Sequence, residues 1–148
     1  MKYWRGLEDG DLEYIAANLR PQDKEEVLLF GVEPLQGLEV SVDLSTTCLT
    51  LVEPDGTPAA LLGVTPQHKV WLLGTDAIDR HPMTFLRHSK PVLEQLFIGH
   101  PYLWNFVHKK NIVHIKWLEW LGFDFLPEVT WVGSKFLGFH KKNPKEED

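Results

Sequence analysis

Hydrophobic and polar residues alternate along this chain in two rhythms, one typical of half-buried strands and the other of amphipathic helices. Short runs rich in aromatic and β-branched residues indicate strands, whereas apolar residues three and four positions apart indicate helices. In chain order, the pattern predicts a strand, two helices with a third helical piece, three antiparallel strands, a long helix, a strand, a helix and two strands. This order is typical of an α/β domain with a mixed, mostly antiparallel sheet flanked by helices.

Turn-forming residues separate the predicted strands. The loop Glu53–Thr57 lies between two apolar runs and indicates an antiparallel hairpin, and Gly133-Ser134 indicates another near the C-terminus. The run Val70–Leu73 is wholly apolar, as expected of a strand that is covered on both faces. We predict strands at Lys2–Arg5, Cys48–Val52, Ala59–Val64, Val70–Leu73, Tyr102–Val107, Phe123–Val132 and Lys135–Phe139.

Acidic residues, prolines and glycines mark the ends of the predicted helices. Pro91 lies inside the long helix and predicts a kink there. The side-chain oxygen of Asn111 is expected to cap the last helix, and Gly122 is expected to end it. We predict helices from Asp9 or Asp11 to Leu19, at Gln22–Phe30, at Pro34–Leu44, from near Pro82 to before Gly99, and from Asn111 to Leu121. In the helix that begins near Pro82, the predicted buried stripe is Met83, Leu86, Leu93 and Phe97.

Composition fits one globular domain at residues 1–142, followed by a charged tail at residues 143–148. Hydrophobic residues make up 43% of the chain and charged residues 24%, so the chain is not of the disordered class. The net charge of −6 argues against nucleic-acid binding by the whole domain. No run approaches the roughly 20 apolar residues of a membrane helix, and the N-terminus has no apolar core of a signal peptide, so we expect neither membrane insertion nor secretion.

Residues 111–123 carry Asn111, then His114 three positions on, Leu118 seven on, and finally Gly122-Phe123. This arrangement resembles the last block of the GNAT acyltransferase superfamily, in which a small residue and a tyrosine follow the asparagine at these spacings. With Val70–Asp76 and Leu103–Val107, the region is more closely similar to a family of short GNAT-like phage proteins called internal virion protein A. The resemblance implies a GNAT fold in which the fourth and fifth strands part to form a notch that takes acyl-CoA.

The resemblance also shows where this chain departs from the family's cofactor site. The family holds the diphosphate of acetyl-CoA on a glycine-rich loop after the fourth strand. Here the corresponding residues 76–84 have no glycine, Pro82 lacks a donor, and Asp76 and Asp79 would repel phosphate. We therefore expect the usual cradle to be absent, and any acetyl-CoA binding to be atypical. The candidate cofactor contacts are Gly74, Thr75, Ala77, Arg80, His81, Arg87 and Asn111.

Candidates for acid–base chemistry are few. Leu118 stands where the family has a tyrosine that protonates the departing thiolate, and leucine has no proton to donate. His114 could transfer a proton from one turn earlier, or it could be a core histidine bonded to a backbone carbonyl. Asp76 could act as a general base or cap the helix that follows it.

The seven histidines show no paired metal-binding spacing, so no metal site is predicted. The single cysteine, Cys48, excludes a disulfide framework and fits a reducing cytoplasm.

Two interpretations of function follow from the resemblance and these departures. In the first, the chain is a phage protein of the host cytoplasm or the virion that serves virion assembly and binds a phage or host protein. In the second, it is an acyl-CoA-dependent N-acetyltransferase with an atypical diphosphate site built from Arg80, His81 and Arg87. A third interpretation is a regulatory module that binds a small molecule in the notch. The sequence does not set the oligomeric state.

Overall fold

Residues 3–145 form an α/β domain with the predicted order of strands and helices in this computed structural model, which describes that part of the 148-residue chain. The helices are α1 Asp11–Ala17, α2 Pro21–Leu29, α3 Pro34–Leu44, α4 Ala77–Arg80, α5 Pro82–Phe97 and α6 Ile112–Trp120. The strands are β1 Trp4–Gly6, β2 Thr47–Val52, β3 Pro58–Val64, β4 Val70–Gly74, β5 Tyr102–His108, β6 Asp124–Trp131 and β7 Ser134–Lys142. The predicted fold class is thus confirmed.

The strands form two antiparallel sheets, with the orders β1-β2-β3-β4 and β5-β7-β6. The last strand, β7, enters between β5 and β6 and runs antiparallel to both. The two strands that flank α6 are therefore parallel to each other but separated by β7. Of the last hairpin, β7 thus forms the centre of the second sheet and β6 forms one edge.

The two sheets meet at one end of β4 and β5, and then part. An isolated parallel bridge pairs Lys69 with Trp104, and the Trp104 backbone N–H donates to the His68 carbonyl at 3.1 Å. Beyond this point β4 pairs with β3 and β5 pairs with β7. The predicted parting of these two strands is confirmed.

Helices cover both faces of the first sheet, which explains why β3 is buried along almost its whole length. A large cluster of buried apolar side chains joins the two sheets to α5 and α6, with Phe85, Leu96 and Trp117 among its members. A smaller cluster packs α1 and α3 against the opposite face, where Ile15 and Leu38 meet Leu61. No helix in the described part of the chain combines the length and apolar character that a membrane span requires.

Several local predictions need correction. Asn111 precedes α6, but its side chain makes no capping hydrogen bond and points into the protein instead. Met83, predicted to be buried on α5, is 68% exposed, and Phe85 is buried there in its place. The short helix α4 was not predicted. Asn143, predicted to begin the tail, is buried and donates to the carbonyls of Phe97 and His100. Lys2 and residues 146–148 lie outside the described residues.

The hairpin between β6 and β7 turns one residue earlier than predicted. Trp131 pairs with Ser134, so Val132 and Gly133 form a two-residue turn with φ values of 44° and 78°. Two positive φ values are typical of a type I′ turn, which favours Asn-Gly because asparagine tolerates the left-handed region better than valine does. Val132 is β-branched, so the turn holds an unfavourable backbone conformation there.

Replacing Val132 with asparagine should therefore stabilise the domain. We expect Val132→Asn to raise the free energy of unfolding by about 0.5–1 kcal/mol, part of the 1–2 kcal/mol that the left-handed region costs an ordinary residue. Urea denaturation of the two proteins measures the difference. Val129→Asn, at an exposed strand position of the same hairpin, is the control and should not stabilise. An unchanged or lower stability of Val132→Asn would show that the turn is not strained.

Candidate functional site

A cavity of about 200 Å³ fills the notch where β4 and β5 part. Its walls are largely apolar and come from both strands, α5 and α6, with Leu72, Leu96, Phe106 and Trp117 among the lining residues. Polar side chains also reach it, namely those of Glu26, Ser41, Ser89, Asn105 and His114. A mostly apolar cavity with a few converging polar groups is the usual form of a small-molecule site.

Asn105 holds the two strand edges together at the narrow end of the notch. Its Nδ2 donates to the Val70 carbonyl of β4 at 2.7 Å, and its Oδ1 accepts from the Phe106 N–H of β5 at 2.6 Å. The side chain thus replaces part of the hydrogen bonding that a neighbouring strand would supply. Because both edges use Asn105, their polar groups at this end are already satisfied by the chain itself.

Residues of α2 and its N-terminus hydrogen-bond to the backbone groups of β4 and β5 at the wide end of the notch. The Gly74 N–H donates to Asp23 Oδ2 at 2.8 Å, and the Gly74 carbonyl accepts from the Arg20 N–H at 2.9 Å. On the other strand, the His108 N–H donates to Glu26 Oε1 at 3.0 Å. The two strand ends are therefore capped by the first turns of one helix.

A buried polar cluster surrounds the Asp23 carboxylate that accepts from Gly74. Arg20 and Asp23 are fully buried, and Arg20 Nη1 lies 3.1 Å from Asp23 Oδ1. Arg20 Nε also pairs with Asp79 Oδ2 at 3.2 Å. Asn111 is 1% exposed and donates from Nδ2 to Asp23 Oδ1 at 3.2 Å, while its Oδ1 accepts from Arg20 Nη2 at 3.5 Å. Asn111, predicted to contact a cofactor, is therefore engaged by α2.

His114 lies between this cluster and the cavity. Its Nδ1 is 3.2 Å from Asn111 Nδ2, and it is 9% exposed. Its Nε2 is buried and has no hydrogen-bond partner among the described residues. Burial lowers the pKa of His114, so the ring is neutral at pH 7. His114 faces the core as one prediction had it, but Asn111 and not a backbone carbonyl is its partner.

Glu26 lines the same cavity and has a strongly perturbed pKa. Burial, together with the nearby charge of Asp23, raises the pKa of its carboxyl group to about 7. The His108 N–H and the Asn111 amide act in the opposite direction because they donate to the charged form. Glu26 thus changes charge near neutral pH at the wall of the cavity.

The region where the GNAT family binds a diphosphate is closed in this chain. A Cβ atom placed on Gly74 would lie 2.2 Å from Ile78 Cδ1, so the Ile78 side chain occupies the space beside that glycine. Backbone N–H groups from Gly74 to His81, apart from that of Asp76, all donate to protein acceptors, and the Ala77 N–H uses the Thr75 hydroxyl. From Gly74 to His81, only the Asp76 N–H is thus left to bind the diphosphate of acetyl-CoA.

The charged candidates lie on the surface near this region. Arg80 Nη2 is 3.5 Å and His81 Nε2 is 3.7 Å from Glu53 Oε1, so both side chains face a carboxylate. Arg87 is exposed on α5, one to two turns further on. Asp76 is exposed and makes no capping hydrogen bond to α4, so the predicted cap is wrong; its predicted role as a base stays a prediction.

The candidates therefore divide into two sets. Gly74, Asn111 and His114 come together around Asp23, whereas Arg80 and His81 lie around Glu53. No group of three or more histidine, cysteine, aspartate or glutamate side chains within residues 3–145 is placed to hold a metal ion. Cys48 is half-buried, and burial raises the pKa of its thiol.

The sequence did not single out the site residues of α2 or the Asn105 side chain. Asp23 and Glu26 follow Pro21 in the first turns of a helix, where acidic residues are already accounted for by the positive end of the helix dipole. Their spacing of three residues, which places both on one helix face with Arg20, was the available signal. Nothing in the local pattern around Asn105 distinguishes it from an ordinary strand residue.

The raised pKa of Glu26 makes stability depend on pH. The folded state binds this proton more tightly than the unfolded state, so this contribution to wild-type stability should decline as pH rises from about 4.5 through 7. Glu26→Gln keeps an oxygen acceptor without the charge. We expect it to match the wild type near pH 4.5 and to exceed it by about 3 kcal/mol at pH 8.

Urea denaturation of both proteins at the two pH values tests this expectation. Glu25→Gln, at the exposed neighbouring position, serves as the control and should show no such change. A stability difference between Glu26→Gln and the wild type that is the same at both pH values would contradict a raised pKa in the folded state.

Comparison with solved structures identifies the fold. A ribosomal-protein-S5-alanine acetyltransferase from Vibrio fischeri superposes with a TM-score of 0.64 at 14% identity, covering 100% of this chain and 97% of that one. A GNAT-family acetyltransferase from Bacillus anthracis gives a TM-score of 0.70 at 9% identity, with 95% of each chain covered. A ribosomal-protein-alanine N-acetyltransferase from Brucella melitensis gives 0.69 at 15% identity, covering 95% and 99%. At these identities the likeness shows the GNAT fold alone.

Sequence comparison identifies the family. No significant match was found among curated protein sequences. A family model described as "Bacteriophage T7, probable scaffold protein Gp13" matches residues 48–130, which is more than half of the chain. The match covers β3, β4 and β5, and with them both strands of the notch. The chain therefore belongs to the phage T7 Gp13 family.

Proposed function

We propose that this chain is a virion-assembly protein of a phage, acting in the host cell or inside the virion, and that it uses a GNAT fold without acyl-CoA chemistry. The family it belongs to is described as a scaffold protein, which supports the assembly role. This role corresponds to the internal virion protein that the sequence resembles. Its partner in this proposal is another phage or host protein.

The closed diphosphate region is the observation that carries the proposal. Acyl-CoA binding by a GNAT protein needs free backbone donors and open space after the fourth strand. Here Ile78 occupies the space beside Gly74, and Asp23 accepts the N–H of that glycine. A diphosphate that took over the Gly74 N–H would remove a donor from the buried Asp23 carboxylate, and the loss of a partner by a buried charge is costly.

The acid–base groups support the same conclusion. Leu118 lines the notch where the GNAT pattern has a tyrosine, and it has no dissociable proton. His114 is neutral and its Nδ1 is occupied by Asn111, so it is poorly suited to give up a proton at neutral pH. The chain thus keeps the shape of the fold, and neither Leu118 nor His114 is suited to protonate a leaving thiolate.

The second sheet offers a surface suited to a protein partner. β6 is an edge strand, exposed along almost its whole length, and its apolar residues Leu126, Val129 and Trp131 face solvent. Phe30 of the segment after α2 packs against Trp131 with ring centroids 4.9 Å apart. Edge strands with apolar side chains pair readily with other chains, and exposed apolar patches commonly mark protein interfaces.

Complementation separates assembly from acetyl transfer. A phage that lacks this gene is supplied with the wild-type protein or with the double variant Arg80→Ala, His81→Ala. Both proteins should restore infectious particles to the same level, because the proposed role needs no cofactor contact. In parallel, acetyl-CoA should leave the melting temperature unchanged, whereas a ligand at about 100 times its Kd would add about 2.7 kcal/mol.

A saturable rise in melting temperature with acetyl-CoA, lost in the double variant, would contradict the proposal. Failure of the folded double variant to restore particles would also contradict it, since it would assign an essential role to those cationic side chains. Lys116→Ala, which removes an exposed cation from α6, is the control in both assays. Either contradicting outcome would favour the interpretation of this chain as an N-acetyltransferase over the proposed assembly role.

A further inference from the structure

We infer that the cavity between β4 and β5 binds a small, uncharged ligand that has an apolar body and one hydrogen-bond acceptor. The inference goes beyond the proposed assembly role and does not depend on it. It rests on the size and lining of the cavity together with a buried, unsatisfied donor on a residue that lines it. The donor is His114 Nε2.

The size of the cavity sets the size of the ligand. An apolar protein cavity of about 150 Å³ binds benzene, which has six non-hydrogen atoms. The cavity here measures about 200 Å³ and is lined mainly by aliphatic and aromatic side chains. A ligand of about eight to nine non-hydrogen atoms therefore fits by the same ratio.

The hydrogen bonds of the cluster determine which nitrogen of His114 carries the proton. Asn111 directs its oxygen toward Arg20 and its amide nitrogen toward Asp23 and Glu26, so the surrounding charges fix its orientation. The amide nitrogen has no lone pair to offer, so Nδ1 of His114 must accept from it. The neutral ring then carries its hydrogen on Nε2, a buried and unsatisfied donor in a residue that lines the cavity.

The backbone of β4 supplies a second pair of polar groups. Val70 and Gly74 direct their backbone polar groups into the notch, to Asn105, Asp23 and Arg20. The backbone polar groups of successive residues in a strand point to opposite sides. The N–H and carbonyl of Leu72 therefore point into the notch, as those of Val70 and Gly74 do. Leu72 lines the cavity, and a ligand that contains a carbonyl could receive hydrogen bonds from both Leu72 and His114.

The surrounding charges exclude an anionic ligand. Glu26 lines the cavity, and the Asp23 carboxylate lies behind Asn111 and His114. The one guanidinium of the cluster, Arg20, is already paired with Asp23 and Asp79. A carboxylate in the cavity would therefore be repelled by these acidic groups and would find no free cation to pair with. A neutral carbonyl carries no charge and would not be repelled. The ligand class is an uncharged acyl or aryl carbonyl compound.

This ligand is not an acyl-CoA. The diphosphate region beside Gly74 is filled by Ile78, and the aspartates there would repel phosphate. His114 also stands at a position where the GNAT pattern has a small residue, so the imidazole takes up space that the pattern leaves open. The donor that defines the proposed site is thus a feature of this chain and not of the fold.

Three probes of nearly equal size test the inference on the full-length protein. Acetophenone carries the carbonyl, isopropylbenzene replaces it with an apolar carbon, and benzoate carries a negative charge. We expect acetophenone to bind about tenfold more tightly than isopropylbenzene, the effect of satisfying one buried donor, and benzoate to bind more weakly than acetophenone by at least about tenfold. Calorimetry or ligand-observed NMR measures the three affinities.

Two variants test whether the preference for acetophenone comes from His114 or from the apolar cavity alone. His114→Leu should lose most of the tenfold preference for acetophenone over isopropylbenzene, whereas His140→Leu, at an exposed position of β7, should keep it. If His114→Leu does not fold, the imidazole ¹⁵N signal of Nε2 in the wild type decides: acetophenone should shift it and isopropylbenzene should not.

Equal binding of acetophenone and isopropylbenzene to the wild type would overturn the inference, and so would binding of none of the three probes. These outcomes leave the assembly role untouched, because the complementation assay does not depend on this cavity.

Discussion

The buried carboxylate of Asp23 is the interaction on which the arrangement of this domain depends. It accepts from Arg20 of the segment before α2, from the Gly74 backbone of β4 and from Asn111 before α6. A buried ion pair pays a desolvation cost that its own attraction does not always repay, but removal of one partner leaves an uncompensated charge. Because three separate parts of the chain supply its donors, Asp23 fixes their relative positions.

The open notch follows from this constraint. Strands β4 and β5 could in principle continue one sheet, but Asp23 and Glu26 occupy the backbone donors of Gly74 and His108 at the wide end. Asn105 does the same at the narrow end, where it contacts Val70 and Phe106. With the strand edges satisfied by side chains at both ends of the notch, the space between them stays largely apolar and open to a ligand.

In the function proposed above, the hydrogen bonds around Gly74 separate the fold from the chemistry that usually accompanies it. GNAT acetyltransferases are the structural neighbours, yet the loop after β4 is closed here by Ile78 and by hydrogen bonds within the chain. A fold can keep its architecture while its site changes, so fold and activity need separate arguments. What remains is a GNAT frame with a polar cluster at one end of an apolar cavity.

Local patterns in the sequence predicted most of the elements because strand and helix formation depends on nearby residues. Pro34–Leu44 forms a helix at the predicted bounds, and the loop Glu53–Thr57 joins the predicted hairpin. The parting of β4 and β5 came only from the family resemblance. The polar cluster could not be predicted, because Asp23 and Asn111 lie 88 residues apart and each looks locally like a helix-end residue.

Amide hydrogen exchange at Gly74 tests the central role of Asp23 most directly. In the wild type, the Gly74 amide should be strongly protected, because its hydrogen bond to Asp23 is buried. In Asp23→Ala that protection should fall by about tenfold or more, the effect of losing a hydrogen bond to a charged group, while the amide of Leu61 in β3 keeps most of its protection. Rapid exchange of Gly74 in the wild type, or unchanged protection in Asp23→Ala, would contradict the account.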